Sequence, residues 1–328
     1  MKKFILVSVA ILLVTPLVAA GADRGNPTLK AGIIGLDTSH VVAFSGLLNN
    51  ANATGPLADV KVVAAFPGGS PDLEISAGRI EKFTNTVRDK YGVEIVDSIG
   101  ELLKKVDVVL LESVDGRPHL AQARPVIEAG KPLFIDKPVA ASLADTIEIF
   151  QLAAKHNVPC FSSSSLRYSQ STLLARKLNI GKIKQVDAFG PINPLKGHPD
   201  LFFYGIHGIE MLFAVMGPGC KEVTWQSDGT VRGVWQDGRI GTFSKGKYGL
   251  KITGSKGVGE EYGYSGYEPL VVEICKMFKT GKVPVPAAET IDLVAFMTAA
   301  QQSKENEHAT VKIADVMRKA QAEITRRK

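Results

Sequence analysis

Between Lys30 and Phe161 the chain repeats one unit, a short apolar run followed by a segment with helical spacing. Runs rich in Val, Ile and Leu without polar alternation read as strands buried on both faces, and the helices between them read as crossovers. The predicted strands are Lys30 to Leu36, Val60 to Phe66, Val93 to Val96, Val106 to Leu111, Leu133 to Ile135 and Val158 to Phe161. Between them, Val41, Val42, Phe44, Leu47 and Leu48 follow helical spacing, as do Leu73, Ile80, Phe83 and Val87 within 72–91. Ile99 to Leu103 is a short helix, Pro118 opens a helix that stops at Gly130, and Ser142 to Asp145 reads as a capping box. Six strands with helical crossovers predict a Rossmann-type, doubly wound α/β domain over residues 28–166.

The pattern changes over residues 167–328. Asp228-Gly229 and Asp237-Gly238 fall between strand-like runs, and Asp-Gly is a strong hairpin signal. Val223 to Gln226, Thr230 to Trp235, Ile240 to Ser244 and Tyr248 to Thr253 predict a mostly antiparallel open sheet. Helices are expected before it, at Gly205 to Met216, and after it, at Leu270 to Phe278, Ile291 to Ser303 and Ile313 to Ile324. This is an α+β domain.

Composition narrows the classes. At roughly 150 residues per domain, 328 residues fit two domains. With 45% hydrophobic and 22% charged residues the chain is globular, neither disordered nor collagen-like. Three cysteines, Cys160, Cys220 and Cys275, exclude a disulfide scaffold and allow at most one intrachain bridge. The net charge of +6 is scattered, and Arg326-Arg327-Lys328 reads as a solvated tail, so no nucleic-acid partner is expected. No His, Cys or acid spacing points to a metal site. Lys2 and Lys3, the apolar run from Phe4, and Ala20-Gly21-Ala22 have the anatomy of a signal peptide over residues 1–22. The expectation is a periplasmic or secreted protein, free of the membrane after cleavage.

Several segments then carry a resemblance. The first strand runs into Gly35-Leu-Asp37-Thr38-Ser39-His40. Later come Pro118-His119, Ala129-Gly130-Lys131-Pro132 leading to Asp136-Lys137-Pro138, Leu166-Arg167-Tyr168, and Tyr204-Gly205-Ile206-His207-Gly208-Ile209-Glu210. In this order they resemble the Gfo/Idh/MocA family, named after glucose–fructose oxidoreductase, inositol dehydrogenase and a rhizopine-catabolism protein. The resemblance implies a Rossmann domain for NAD or NADP, a sheet domain for homo-oligomer contact, and a carbohydrate or cyclitol between the two. It implies Lys137 and His207 as the acid–base pair, with Asp136 holding Lys137 or the cofactor ribose, and a cis Lys137–Pro138 bond. Arg167, Tyr168 and Tyr204 become candidates for substrate hydroxyls.

Three departures stand beside the matches. A dinucleotide loop wants Gly-x-Gly-x-x-Gly, yet after Gly35 the second position is Asp37 and the third His40. Thr38 or Ser39 can bond phosphate or cap the helix. After the second strand, Pro67-Gly68-Gly69-Ser70 stands where NAD sites carry an acid; it can wrap a phosphate, favouring NADP, or simply turn the chain. Phe203 stands where relatives often carry Asp. Ser113 and His119, at the next strand end and helix start, are further candidates for the cofactor. Export also constrains the reading, because free dinucleotide is scarce outside the cytoplasm. Three functions fit: an oxidoreductase with tightly held cofactor, a hydrolase or lyase that recycles it, and a non-catalytic sugar-binding protein.

Overall fold

The computed structural model describes residues 28–327, and the expected signal segment lies outside the described residues. The first sheet contains β1 (Leu29–Ile34), β2 (Val60–Phe66), β3 (Glu94–Ile95), β4 (Val108–Leu111), β5 (Leu133–Ile135) and β6 (Cys160–Ser162). Its order is β3-β2-β1-β4-β5-β6, all parallel. The connections are α1 (Ser39–Leu48), then α2 (Glu74–Ala77) and α3 (Ile80–Tyr91), α4 (Ile99–Leu103), α5 (His119–Glu128) and α6 (Leu143–Lys155). All four residues of β4 and all three of β5 are buried. That explains why their sequences are uniformly apolar: helices cover both faces. The helix expected across 72–91 is broken at Gly78 and Arg79 into α2 and α3.

The second sheet is larger than its hairpin signals predicted. After α7 (Gln170–Ala175) come β7 (Ile183–Gly190) and α8 (Ile206–Met216). Then follow β8 (Cys220–Trp225), β9 (Val231–Trp235), β10 (Ile240–Lys245), β11 (Gly249–Gly254) and β12 (Val258–Tyr262). The chain ends with α9 (Glu268–Thr280), α10 (Ala287–Glu305), β13 (Val311–Lys312) and α11 (Ile313–Arg327). The order is β12-β11-β7-β10-β9-β8-β13, antiparallel except that β7 runs parallel to β10. Strands such as β9 alternate buried and half-buried residues, as a sheet covered on one face does.

One helix crosses the domain boundary drawn from sequence. Leu270, Val271, Ile274, Met277 and Phe278 of α9 belong to the same buried cluster as Val41 and Phe44 of α1 and Val60 of β2. Lys279 adds an ion pair to Asp59. The chain therefore returns to the Rossmann domain before finishing the second one, which locks the domains together. The three thiols are free and buried. No helix among the described residues is long and apolar enough to cross a membrane.

Candidate active site

β1, β4 and β5 are adjacent, so the residues that follow their carboxyl ends meet. The Glu112 N–H donates to Ile34 O at 2.7 Å, and the Asp136 N–H donates to Leu111 O at 2.8 Å, extending the ladder past the strands. The turn after β1 runs into α1, where the Thr38 hydroxyl accepts from the His40 N–H as the helix cap. Opposite stands the second domain, with a wide helical turn over Leu201–Gly205 leading into α8. A cavity of about 150 Å³ lies between them. The Rossmann side contributes Thr38, Ser39, His40, Arg79 and Lys137, and the second domain contributes Phe203, Tyr204, His207, Tyr248 and Tyr264.

Lys137 and His207 therefore share one cavity although they come from different domains. Lys137 Nζ lies 5.3 Å from the centre of the Phe203 ring and 6.0 Å from that of Tyr204, within cation–π range. Burial pushes its pKa down, and Asp136 and Glu112 pull it part of the way back. His207 is buried, with Nδ1 2.7 Å from the Ser164 hydroxyl and its ring edge-on to Tyr204 and Tyr248. Burial, then the charges of Lys137 and His40, hold the imidazole well below its usual range, so it is neutral at pH 7. Asp136 lies with Oδ2 2.7 Å from His40 Nδ1. Among the described residues that nitrogen has no hydrogen bond of good geometry, so the contact lies off the N–H line. Burial pushes the Asp136 carboxyl up, but His40 and Lys137 outweigh it and hold the carboxyl below its ordinary value. The Lys137–Pro138 bond is cis.

Several predicted contacts lie elsewhere. Asp37 is fully buried, accepting from Val114 N at 2.9 Å and from the Ser76 hydroxyl at 2.6 Å. It faces the interior and leaves the cavity free of its charge. The Ser70 hydroxyl is not free for a phosphate, because it donates to Asp115 at 2.5 Å. Ser113 donates to Gln122, outside the cavity lining. His119 is fully buried with its ring nitrogens against the Val139 and Ser113 carbonyls, so it braces two strand ends and touches no ligand space. Arg167 is removed from the substrate set, because Nε donates to Glu210 at 2.5 Å and Nη2 to Glu289 at 2.6 Å. Tyr168 packs against the α1–α9 core and lines no part of this cavity. Of the three proposed substrate contacts, Tyr204 alone reaches the cavity.

Sequence reasoning missed Arg79, Tyr248, Tyr264 and Tyr267 in the lining. The available signal was the segment Tyr262-Gly-Tyr264-Ser-Gly-Tyr267, where aromatic residues alternate with flexible ones beyond the last hairpin. His198, which had no register argument, sits with Nε2 3.2 Å from Asp115 Oδ1.

A family model described as an oxidoreductase family with an NAD-binding Rossmann fold matches residues 31–164. Over those residues the chain is similar to the Gfo/Idh/MocA oxidoreductases. An Escherichia coli relative, the uncharacterized oxidoreductase YhhX, is 27% identical over 138 residues, which is 38% of this chain and 40% of the relative. The match thus spans about two fifths of that relative. Scyllo-inositol dehydrogenase from Lactobacillus casei, solved with NAD(H) and scyllo-inositol, superposes with TM-score 0.69 at 15% identity, covering 88% of this chain and 99% of that one. Myo-inositol 2-dehydrogenase from Lactobacillus plantarum superposes with TM-score 0.70 at 18% identity, covering 87% and 99%. At such identities these likenesses establish the two-domain fold.

The family's dinucleotide can be tested against the residues present. Gly35 has φ +90°, and a Cβ there would come within 2.3 Å of the Ser113 hydroxyl, so the first glycine of the loop is required by close approach. Thr38 and Ser39 open a ten-residue helix at the cavity, where backbone N–H groups favour phosphate. These residues fit a dinucleotide, while the segment from Pro67 to Arg79 folds over the strand ends. Leu36 N–H donates to Pro67 O, Ser70 holds Asp115, and Leu73 packs with Val114 and Phe203.

Proposed function

We propose that this protein is an exported oxidoreductase acting on a hydroxyl-bearing carbon of a sugar, cyclitol or glycoside, with Lys137 and His207 handling the proton. The observation that carries this reading is their shared cavity, formed by one residue from each domain beside the start of α1. Bound nicotinamide dinucleotide would accept or supply the hydride. Thr38 and Ser39 would hold its phosphates through the helix start, and Asp136 its nicotinamide-side ribose. The Lys137 amine lies over the Phe203 and Tyr204 rings, which line the same cavity. Ser164 engages Nδ1 of His207 and leaves Nε2 for the substrate hydroxyl. The tyrosine hydroxyls of the second domain would orient the remaining hydroxyls.

A preference for NADP over NAD rests on the missing acid after β2, with Gly68 and Gly69 free to approach a phosphate; Ser70 no longer supports it. Self-association is assigned to the outer face of the second sheet, where Val258 and Tyr262 of the edge strand are each 56% exposed. The non-catalytic reading is favoured by one observation, the Pro67–Arg79 segment covering the strand ends where doubly wound sheets bind ligands. On the oxidoreductase reading this segment must yield to admit the cofactor.

The test is mass spectrometry of ligand released from the denatured exported protein, with titration of NADP and NAD and turnover of a panel of sugars, cyclitols and glycosides. Ketone formation, exchange and bond cleavage are scored separately, so that a hydrolase or lyase with recycled cofactor is distinguished. Dinucleotide at one per chain with turnover supports the proposal. A protein that binds sugar, holds no dinucleotide and turns nothing over is a binding protein.

A further inference from the structure

We propose that His40, Glu112 and Asp136 form a divalent-cation site beside the cavity, for an ion of the zinc, iron(II) or manganese class. The three residues follow β1, β4 and β5, adjacent strands of one sheet edge, and one ligating atom from each lies within 4.8 Å of the other two. Ligands held at about 2.0–2.2 Å from a common ion stand about 3 to 4.4 Å apart, so a small side-chain adjustment closes the set.

Glu112 supplies the second, independent observation. It has no exposed surface, and neither of its carboxyl oxygens has a hydrogen-bond partner among the described residues. Buried polar groups are almost always satisfied, and an orphan beside another carboxylate needs a cation or a proton. Two further features favour a metal ion. His40 Nδ1 and Asp136 Oδ2, 2.7 Å apart, already face each other beside Glu112 and need only separate slightly to admit an ion between them. Among the described residues Lys137 makes no ion pair with either carboxylate, and its Nζ lies over the Phe203 and Tyr204 rings. One imidazole and two carboxylates suit borderline divalent metals better than calcium or magnesium, which take oxygen sets. His40 lines the cavity, so it gives the ion a route in.

The experiment uses the exported chain, stripped with chelator and then titrated with Zn²⁺ and with Mn²⁺. Metal content is read by mass spectrometry, affinity by calorimetry, and the melting temperature at each concentration. The expected result is one ion per chain, with a melting temperature that climbs with the logarithm of metal concentration. Glu112→Gln and His40→Gln should each weaken binding by more than about 10-fold, while Asp237→Asn, an exposed acid far from the site, should not. If the stripped protein neither takes up one ion nor gains melting temperature, Glu112 and Asp136 share a proton and the proposal fails. Uptake that survives Glu112→Gln unchanged puts the ion elsewhere and also overturns it.

Discussion

Two buried glutamates stand on either side of the interdomain cavity, and their surroundings differ completely. Glu210, on α8, accepts from Arg167 at 2.5 Å and from the Ser163 hydroxyl at 2.8 Å, and Arg167 also binds Glu289. Glu112, at the end of β4, has no hydrogen-bond partner for either oxygen among the described residues. A paired charge network fixes geometry and behaves as structure, whereas an unpaired buried carboxyl lowers stability unless something else occupies the site. The Arg167 cluster therefore fixes the second domain, with Ser163 tying Glu210 to the end of the first, whereas the Glu112 cluster is where the proposed ion would sit.

The largest expected effect is on turnover. Lys137→Ala and His207→Ala should each lower the rate on an active substrate by a factor of about 10² to 10⁴, the usual contribution of a general acid or base. Melting temperature should change little, and cofactor titration should show that the dinucleotide still binds. Near-parental turnover in either variant moves that residue to the structural side of the comparison.

The next effect is on stability, and it separates the two clusters directly. Arg167→Ala strands Glu210 and Glu289 without their cation and should cost about 3–5 kcal/mol in urea unfolding. Glu112→Gln, measured in chelator, removes no hydrogen bond and should change stability by less than about 1 kcal/mol. Equal losses in the two variants would erase the distinction.

Much of this was legible in the sequence, for physical reasons that also explain the gaps. β4, β5 and β6 are buried throughout, so their apolar runs have no competing reading. Lys137 and His207 stood out because each sits in a short motif at a strand end or helix start. β7 did not, because Ile183–Gly190 mixes polar and apolar residues and gains its place from distant β10 and β11. Arg167 looked like a substrate contact because Glu289, which holds it, arrives from α10. Asp37 looked like a clash with phosphate, and only the fold shows Val114 and Ser76 turning it inward. The meeting of His40, Glu112 and Asp136 depends on the strand order, which no local spacing encodes.

The smallest effect concerns the segment that covers the strand ends, and it is read by pH. Burial would raise the Asp115 carboxyl, but contacts with His198, Arg117 and Ser70 more than offset it and hold the group well below the usual carboxylate range. A carboxyl whose folded value is depressed contributes stability that is complete above its unfolded value, about 3.9, and is lost as pH falls toward the folded one. The gap in unfolding stability between the parent and Asp115→Asn should therefore hold steady from pH 7 to about 5 and narrow below about 4. Asp72→Ala removes only the exposed end of the same network, where Arg117 reaches across to the Pro67–Arg79 segment. It should leave stability nearly unchanged, as solvent screens an exposed pair, yet speed dinucleotide association if that segment has to yield. Unchanged association in Asp72→Ala, with a dinucleotide that binds, would mean that the cofactor enters without moving the segment, and the cover would then belong to the structural side of the molecule with Arg167.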